Sequence, residues 1–298
     1  TGTYYSVGGV IGETTWSSIR SANADNVVID VDNVTYIGGI TGMHRLATVQ
    51  YAFVNNCIIK GNKASGYTGT PSNVGGVMGM YENTMYYSGA MDTIIDAPEH
   101  TNVGGVVGRL SQSLANNHNI GNCFYLCDYD EIKELEFVNG GGDRYTAAAL
   151  DKYYIKGKTN VGGIVGMQNS GYVYQSYSNG NVIAEDLHIA GGIVGMYCNE
   201  YSTTVSNGKV NYTYAVTGMY RNYFAGTVTA IDGYAGGAIG RTGILYRNQG
   251  TGNDGKNGNR IKNTNANCNE VDKTYGNIIL ADRITGGENK TGAFASDD

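Results

Sequence analysis

An apolar hexapeptide with two adjacent glycines and a third one three positions later recurs along this chain, and it restricts the fold more than any other feature. It reads VGGIVG at residues 161–166 and AGGIVG at residues 190–195. Five further copies begin at residues 7, 37, 74, 103 and 235. Glycine packs no side chain and weakens a strand interior, so a repeated pair indicates a geometric requirement, either a sharp corner or a close approach between backbones.

The spacing of the seven copies has a base period of 29 residues. Successive intervals are 30, 37, 29, 58, 29 and 45 residues, and 58 is twice 29. Periods between about 20 and 50 residues are typical of solenoids and propellers, in which each unit buries its apolar face only against its neighbours. At about 3.3 Å per residue such a unit suits one turn of a three-sided β-helix, whereas a propeller blade takes about 40–45 residues.

Each unit also contains two short β-rich runs joined by a turn. SYSNGNVIA at 176–184 aligns with AFVNNCIIK at 52–60, HNIGNCFYL at 118–126 and NYFAGTVTA at 222–230. Such runs on either side of a pair like Asn-Gly or Asn-Asn are typical of short strands. Together with the hexapeptide, they predict an all-β fold: a single-stranded parallel β-helix with three short strands per coil and about eight or nine coils.

The 58-residue interval has two interpretations. Aligning IKELEF at 132–137 with VGGIVG places Ile132 over Val161 and Leu135 over Ile164, which predicts a degenerate coil without glycines. The alternative is a short helix or an insertion. Within the hexapeptide the first and fourth positions are both apolar, and strict strand alternation cannot point both inward. We expect a β-bulge at the glycine pair to reconcile them.

The glycine pairs of all seven copies are predicted to be structural, because equivalent residues of successive coils stack about 4.8 Å apart. They are Gly8, Gly9, Gly38, Gly39, Gly75, Gly76, Gly104, Gly105, Gly162, Gly163, Gly191, Gly192, Gly236 and Gly237. The solenoid is assigned to residues 1–245, with insertions expected near 61–72 and 198–214. Residues 246–298 lose the pattern, which predicts a long loop and an irregular terminal coil or cap.

The stretch VGGIVGMQNSGYVYQSYSNGNVIAEDLHIAGGIVGM at 161–196 resembles the GLUG repeat, whose core is Gly-Gly-hydrophobic-hydrophobic-Gly followed by a Ser-Tyr-(Ala/Ser)-x-Gly-x-Val run. With insertions and losses, the resemblance extends from about residue 7 to 245. GLUG repeats occur in secreted or surface-attached bacterial proteins, including adhesin-like proteins and the non-catalytic part of IgA-specific zinc metallopeptidases. The resemblance implies an extracellular or cell-surface bacterial β-solenoid, and it implies no enzymatic activity.

Charge and hydropathy argue against nucleic acid and membrane as partners. The chain has a net charge of −6, a pI near 5.2 and only 15% charged residues. A nucleic-acid-binding domain carries a basic face, which this composition does not supply. The sequence also contains neither a run of about 18 apolar residues nor a basic amphipathic helix, so no membrane insertion is expected.

The sequence contains no recognised pattern for catalysis or metal binding, so we expect no catalytic residue, no metal and no cofactor. None of its histidines lies in a His-Glu-x-x-His motif, and they are predicted to be scattered surface or corner residues. These are His44, His100, His118 and His188. The repeat also lacks the recurring Asp of calcium-binding β-rolls. The pairs Asp30/Asp32 and Asp128/Asp130 leave a single cation site open, although solvated carboxylates are the preferred interpretation.

The five cysteines are too few for a disulfide scaffold, and an odd number cannot all pair. They are Cys57, Cys123, Cys127, Cys198 and Cys268. Two coils would separate Cys57 from Cys123 by about 10 Å, beyond the limit of about 7 Å between bridged Cα atoms. We predict free, partly buried thiols.

Tyrosine is unusually abundant, with 25 copies. Seven tyrosines fall in or near the second strand of their coils, and these are Tyr51, Tyr86, Tyr87, Tyr174, Tyr177, Tyr220 and Tyr223. A column of them predicts a flat aromatic strip suited to binding sugar rings or another protein. The alternative is that tyrosines of adjacent coils stack on each other and only stabilise the fold.

These features favour a non-enzymatic structural or adhesive module of a bacterial extracellular or cell-surface assembly, including a fibre-forming subunit. The alternative is a carbohydrate-binding or carbohydrate-processing β-helix. The expected partners are other copies of the chain, by end-to-end or lateral contact, or an upstream domain. A host or matrix glycan or protein is the expected target.

Overall fold

The computed structural model describes residues 5–111, 118–127, 152–185, 187–206, 209–214, 217–247, 274–288 and 290–292. These residues contain no helix, and they form five sheets in which strands of successive coils lie side by side and parallel. The predicted all-β parallel β-helix is therefore confirmed. Each complete coil contributes five short strands rather than the predicted three. The glycine pair divides the hexapeptide between two strands, and one further short strand lies between the hexapeptide and the predicted runs.

The five sheets are numbered in the order in which the chain enters them. Sheet 1 contains Ser6–Gly8, Tyr36–Gly38, Asn73–Gly75, Asn102–Gly104, Asn160–Gly162, Ile189–Gly191, Tyr234–Gly236 and Thr291–Gly292. Sheet 2 contains Ile11–Thr15, Thr41–Arg45, Met78–Glu82, Val107–Leu110, Val165–Gln168, Val194–Ser206, Ile239–Arg247 and Lys209–Tyr214. Sheet 3 contains Ile19–Arg20, Val49–Gln50, Met85–Tyr86, Asn119–Gly121, Gly171–Tyr174, Thr217–Tyr220 and Thr274–Tyr275.

The remaining two sheets complete each coil. Sheet 4 contains Asn23–Asp25, Phe53–Asn55, Gly89–Met91, Phe124–Leu126, Tyr177–Ser178, Tyr223–Phe224 and Ile278–Ile279. Sheet 5 contains Val28–Asp32, Ile58–Asn62, Ile94–Ala97, Tyr154–Gly157, Asn181–Ala184, Thr227–Ala230 and Arg283–Thr285. The only antiparallel partner among the described strands is Lys209–Tyr214, which forms a hairpin with Val194–Ser206 where an insertion was predicted.

The register between coils shows that the predicted degenerate coil at residue 132 is wrong. Val103 pairs directly with Val161, and Gly104 pairs with Gly162, so no coil lies between them. The 58-residue interval is one coil with an insertion, which was the alternative interpretation. Most of that insertion, including Ile132 and Leu135, lies outside the described residues. The described part of the chain thus forms seven complete coils and the first strand of an eighth.

The glycine pair lies between the strands of sheets 1 and 2, where backbones approach closely. A Cβ atom on Gly162 would overlap the carbonyl oxygen of Val165 and lie 2.7 Å from the amide nitrogen of Gly195. A Cβ atom on Gly163 would overlap the carbonyl oxygen of Gly192 in the next coil. Neither glycine has a positive φ, so the requirement is for space and not for a left-handed backbone.

Because the pair separates two sheets, both apolar positions of the hexapeptide point into the core, and no bulge within one strand is needed. Ile37 and Ile40 are fully buried, as are Val161 and Ile164. Just before the hexapeptide, the side chains of Asn73, Asn102 and Asn160 form a hydrogen-bonded ladder. Asn102 Nδ2 donates to Asn73 Oδ1 at 2.7 Å, and Asn160 Nδ2 donates to Asn102 Oδ1 at 2.8 Å.

The corner between sheets 3 and 4 is built from a column of left-handed residues followed by a column of small buried ones. The left-handed residues are Ser21, Tyr51, Tyr87, Asn122, Gln175, Arg221 and Gly276. The residue that follows each of them points inward, and its side chain often accepts a hydrogen bond from the preceding coil. Ser88 Oγ accepts from the amide of Ala52 at 3.1 Å, and Ser176 Oγ accepts from the amide of Cys123 at 3.2 Å. These bonds satisfy buried backbone groups at the bend.

Candidate functional site

The seven candidate tyrosines lie on one side of the solenoid, on sheets 3 and 4 and the corner between them. Tyr86, Tyr174 and Tyr220 share one register position of sheet 3. Tyr177 and Tyr223 are paired in sheet 4, and Tyr51 and Tyr87 occupy the left-handed corner. We call these residues, together with Phe53 and Phe124 of sheet 4, the aromatic face.

The sheet 3 column is continuous although one coil contributes no ring. Tyr174 and Tyr220 stack with ring centroids 5.1 Å apart and an interplanar angle of 7°. Gly121 lies between Tyr86 and Tyr174 in the register, and a Cβ atom there would lie 2.6 Å from the Tyr174 hydroxyl oxygen. The two rings therefore meet across the glycine, 6.4 Å apart and edge to face.

Sheet 4 repeats this arrangement with phenylalanine. Phe53 and Phe124 flank Gly89 in the register, and their rings stack across it at 6.0 Å. Farther along the same column, Tyr177 and Tyr223 stack at 5.1 Å with an interplanar angle of 13°. The two phenylalanines were not among the sequence-predicted residues, although their position two residues after the corner is the one that Tyr177 and Tyr223 occupy.

The most exposed members of the aromatic face have an unusual backbone. Tyr51 and Tyr87 have φ values of 56° and 51°, a region that bulky side chains rarely adopt. Their rings stack 5.5 Å apart at 10°, and the two side chains are 46% and 48% exposed. Tyr86 links them to the sheet 3 column, with its ring 6.2 Å from that of Tyr87.

The orientation of the rings determines what the aromatic face offers to a ligand. Near-parallel rings about 5 Å apart on successive coils cover each other's faces, as in the pairs Tyr174–Tyr220 and Tyr177–Tyr223. Solvent therefore meets mainly ring edges and hydroxyl groups. A sugar that packs its C–H face on an aromatic ring needs an uncovered ring face, and the stacking leaves few of these. The tyrosines of adjacent coils thus do stack on each other, which was the alternative interpretation of the sequence.

The hydroxyl groups of the column interact with each other. Burial, followed by a hydrogen bond to Tyr86, raises the pKa of Tyr174 well above its usual value. Tyr174 therefore stays protonated throughout the physiological pH range and acts as a hydrogen-bonding group, not as a base.

A groove of about 730 Å³ lies beside the aromatic face, where the chain turns from sheet 4 to sheet 5. It is lined by Asn23, Ala24, Asp25, Phe53, Asn55, Asn56, Met91, Asp92 and Tyr153. Asn55 Nδ2 donates to Asp25 Oδ1 at 2.9 Å, which orders two of the polar side chains. The groove combines amide and carboxylate groups with the ring of Phe53, and the lining contains no basic residue.

Three of the four histidines are buried and not on the surface. His100 and His118 lie at corners, which was one of the two predicted positions, whereas His44 lies within a strand of sheet 2. His44, His100 and His118 are at most 3% exposed. Desolvation lowers the pKa of each, and it lowers that of His100 to about 4. His100 Nε2 lies 3.1 Å from the carbonyl oxygen of Val34 and donates to it in the neutral ring.

The cysteines of the described chain are free thiols, as predicted, and all four are buried. These are Cys57, Cys123, Cys127 and Cys198, while Cys268 lies outside the described residues. Burial raises the pKa of Cys57, and it raises that of Cys123 to about 12. Because the thiolate is the reactive form, both side chains are chemically inert at neutral pH.

Of the two carboxylate pairs singled out in the sequence, Asp30/Asp32 lies in sheet 5, and Asp30 is engaged there. Asp30 accepts a hydrogen bond from Asn62 Nδ2 at 2.9 Å and lies beside Lys60 in the register. The pair Asp128/Asp130 falls outside the described residues. Within the described residues, no three His, Cys, Asp or Glu side chains converge in a way that could hold a metal ion. In the same part of the chain, no helix has the length and apolar character needed to cross a membrane.

We predict that a chelator leaves the thermal unfolding transition unchanged. The coils are joined by backbone ladders, stacked rings and asparagine side chains, so metal binding is not expected to be linked to folding. The measurement compares calorimetric scans of the protein, purified without chelator, in the presence and absence of excess EDTA. A decrease of many degrees in the melting temperature would contradict the prediction and reveal a metal site that stabilises the fold.

Comparison with family models, with curated proteins and with solved structures finds no match to this chain. The resemblance to the GLUG repeat thus stays a prediction from the motif.

Proposed function

We propose that this chain is a non-enzymatic structural and adhesive module of a bacterial extracellular or cell-surface assembly. The observation that carries the proposal is the aromatic face. Its ring edges and hydroxyl groups recur along two adjacent sheets, so the fold displays one extended aromatic surface along its side, with Arg20 and Arg221 as exposed charges in the same columns. The bacterial and extracellular parts of the proposal rest on the GLUG resemblance.

The chemistry of this surface suits a protein target, and it suits a glycan only through hydrogen bonds to the tyrosine hydroxyl groups. Tyrosine offers a rigid side chain with few rotatable bonds, and its hydroxyl group both donates and accepts hydrogen bonds. The stacked rings are already ordered in the free protein, as the 7° and 10° interplanar angles indicate. A target therefore orders few side chains on binding, which lowers the entropic cost of association.

Removing two hydroxyl groups tests the adhesive role without disturbing the stacking. The variant Tyr51→Phe/Tyr87→Phe is expected to weaken binding to an immobilised matrix protein or glycan about thirtyfold, since it removes two hydrogen bonds of about 1 kcal/mol each. Its melting temperature is expected to stay within about 1 °C of that of the parent, because the rings and their stacking are retained. The measurement is surface plasmon resonance against a panel of such targets.

The matched control is Tyr5→Phe, which removes the hydroxyl of a 54% exposed tyrosine outside the aromatic face. It is expected to bind like the parent. If the parent chain binds none of the panel, or if the double variant binds as well as the parent, the aromatic face is not the adhesive surface.

Carbohydrate binding is the second candidate, and the groove between sheets 4 and 5 is the observation that favours it. Planar amides and carboxylates are suited to hydrogen-bonding sugar hydroxyls, and Phe53 and Met91 provide apolar contact. With Asp25 and Asp92 and no basic residue in the lining, the groove favours a neutral sugar over an acidic one. A glycan array, combined with turnover assays, tests this candidate.

The matched pair of variants for the groove is Asn23→Ala and Asn62→Ala. Asn23 lines the groove, whereas Asn62 is an exposed asparagine on sheet 5 outside it. Loss of a neutral-glycan signal in the first variant alone supports carbohydrate binding, while clear turnover of any glycan contradicts the non-enzymatic proposal.

Partners of two further kinds belong to the proposal. Copies of the chain, in end-to-end or lateral contact, or an upstream domain would complete the assembly. Stacked β-coils are suited to this role, because their strand edges pair with further strands of the same kind.

A further inference from the structure

The outer face of sheet 5 carries two parallel columns of side chains on its first four coils. One column is apolar and contains Val28, Ile58, Ile94 and Tyr154. The other is charged and contains Asp30, Lys60, Asp96 and Lys156, which are register partners from coil to coil. All eight side chains are exposed or half-buried, and Val28 is 65% exposed.

The charges of the second column alternate in sign along the solenoid, and the chain itself uses only part of them. Lys156 pairs with Glu185 at 3.2 Å, Asp30 accepts a hydrogen bond from Asn62, and Asp96 accepts one from the hydroxyl group of Tyr154. In the described part of the chain, Lys60 takes part in no ion pair. A half-buried lysine between two aspartates, without a carboxylate within 4.0 Å, has its charge available to another molecule.

The order of the charges is self-complementary under a two-fold rotation. Read from the first coil it is negative, positive, negative, positive, and read from the fourth coil it is the opposite at every position. Consider a two-fold axis that lies in the interface and runs along the strand direction. This rotation reverses the order of the coils, and each column of one copy then faces the same column of the second copy. In that arrangement Asp30 faces Lys156 of the second copy, and Lys60 faces Asp96 of the second copy. Contacts of this reciprocal kind define an isologous interface.

We infer that sheet 5 is an interface for a second copy of this chain, with the two solenoids antiparallel. The apolar columns then also meet, so that Val28 lies opposite Tyr154 of the second copy and Ile58 lies opposite Ile94. This brings together apolar side chains that are exposed or half-buried in the single chain, and it pairs opposite charges. The inference rests on the proposed function and specifies the lateral contact between copies that belongs to it. Sheet 5 contains none of the residues of the aromatic face, so the self-contact and the adhesive surface are separate.

The size of the surface determines the expected strength of the association. Four coils spaced about 4.8 Å apart give a contact less than about 20 Å long. A contact of this length buries much less surface area than the interface of a permanent dimer. The dimer is therefore expected to form at protein concentrations of tens to hundreds of micromolar and to weaken as salt screens the charges. In a surface assembly, tethering of neighbouring copies raises the effective concentration into that range.

Sedimentation equilibrium of the full chain between about 10 and 500 µM, at low and high salt, tests the inference. The parent is expected to dimerise, and Lys60→Asp is expected to weaken dimerisation at least tenfold, because it places like charges opposite each other at both central positions. The double variant Lys60→Asp/Asp96→Lys is expected to restore it, since its order of charges is again complementary to itself when reversed.

Melting temperatures of both variants establish that they fold. A parent that stays monomeric at 500 µM, or a double variant that dimerises no better than the single one, overturns the inference. Either result leaves binding through the aromatic face unaffected, so that the two proposals fail separately.

Discussion

Replacing Gly162 and Gly163 together by valine is expected to destabilise the chain by several kcal/mol, enough to prevent folding of an ordinary domain. The first new side chain would collide with the carbonyl oxygen of Val165 in its own coil, and the second with that of Gly192 in the next coil. Both obstacles are backbone atoms held in hydrogen-bonded ladders, so neither can move as a flexible side chain would. The measurement is the free energy of unfolding in urea.

The third glycine of the hexapeptide supplies a matched control, because its surroundings depend on the preceding coil. A Cβ atom on Gly166 would lie 2.5 Å from the amide nitrogen of Val103 and 2.6 Å from the carbonyl oxygen of Gly108, both in the coil before it. On Gly12, in the first coil, the nearest atom is 3.1 Å away. We expect Gly166→Ala to destabilise strongly and Gly12→Ala to be tolerated. If Gly166→Ala and Gly12→Ala lowered the free energy of unfolding equally, close stacking would not be the reason for the glycines. An unchanged stability of the double valine variant would contradict it as well.

The sequence predicts the solenoid and its glycine pairs because both repeat with a constant period. It does not predict the number of strands, because the corner between sheets 3 and 4 is not consistently marked by glycine or proline. The bend between sheets 3 and 4 uses left-handed residues as different as Tyr51, Gln175 and Arg221. Stacking on the neighbouring coils imposes the backbone there, and local propensity does not reveal it. The apolar residues from Ile132 onward likewise match the hexapeptide locally, but a local match does not show that a segment stacks on the neighbouring coils.

The candidate site was likewise predictable from the sequence only in part. The register of Tyr174 and Tyr220 follows from the repeat, since equivalent positions must align. The direction of the ring faces does not follow from it, because that depends on the neighbouring coil and on gaps such as Gly121. The groove was also not predictable, since its lining combines side chains of separate coils and its shape depends on how the chain bends between sheets 4 and 5.

Burial of the histidines, which the sequence did not predict, makes stability depend on pH. Desolvation lowers the pKa of His100 from its ordinary value of 6.5 to about 4 in the folded chain, whereas the unfolded chain keeps the ordinary value. Between these values the unfolded chain binds a proton that the folded chain does not, so folding stability falls as the pH drops from 6.5 towards 4. The difference corresponds to about 3 kcal/mol from this residue alone. His44 and His118, whose pKa values are also lowered, shift stability in the same direction.

Acidification to pH 4.5 is therefore expected to lower the free energy of unfolding by at least about 3 kcal/mol relative to pH 7.5, as measured by urea denaturation. The variant His100→Gln separates this effect from general acid denaturation, because a glutamine amide can still donate to the Val34 carbonyl oxygen but cannot titrate. At pH 7.5 the imidazole is neutral in both states, so there the variant reports only the change in packing. Between pH 7.5 and 4.5 it is expected to lose about 2.5 kcal/mol less stability than the parent, because the full difference develops only below the folded pKa. Equal losses in the two proteins would show that protonation of His100 does not drive acid unfolding.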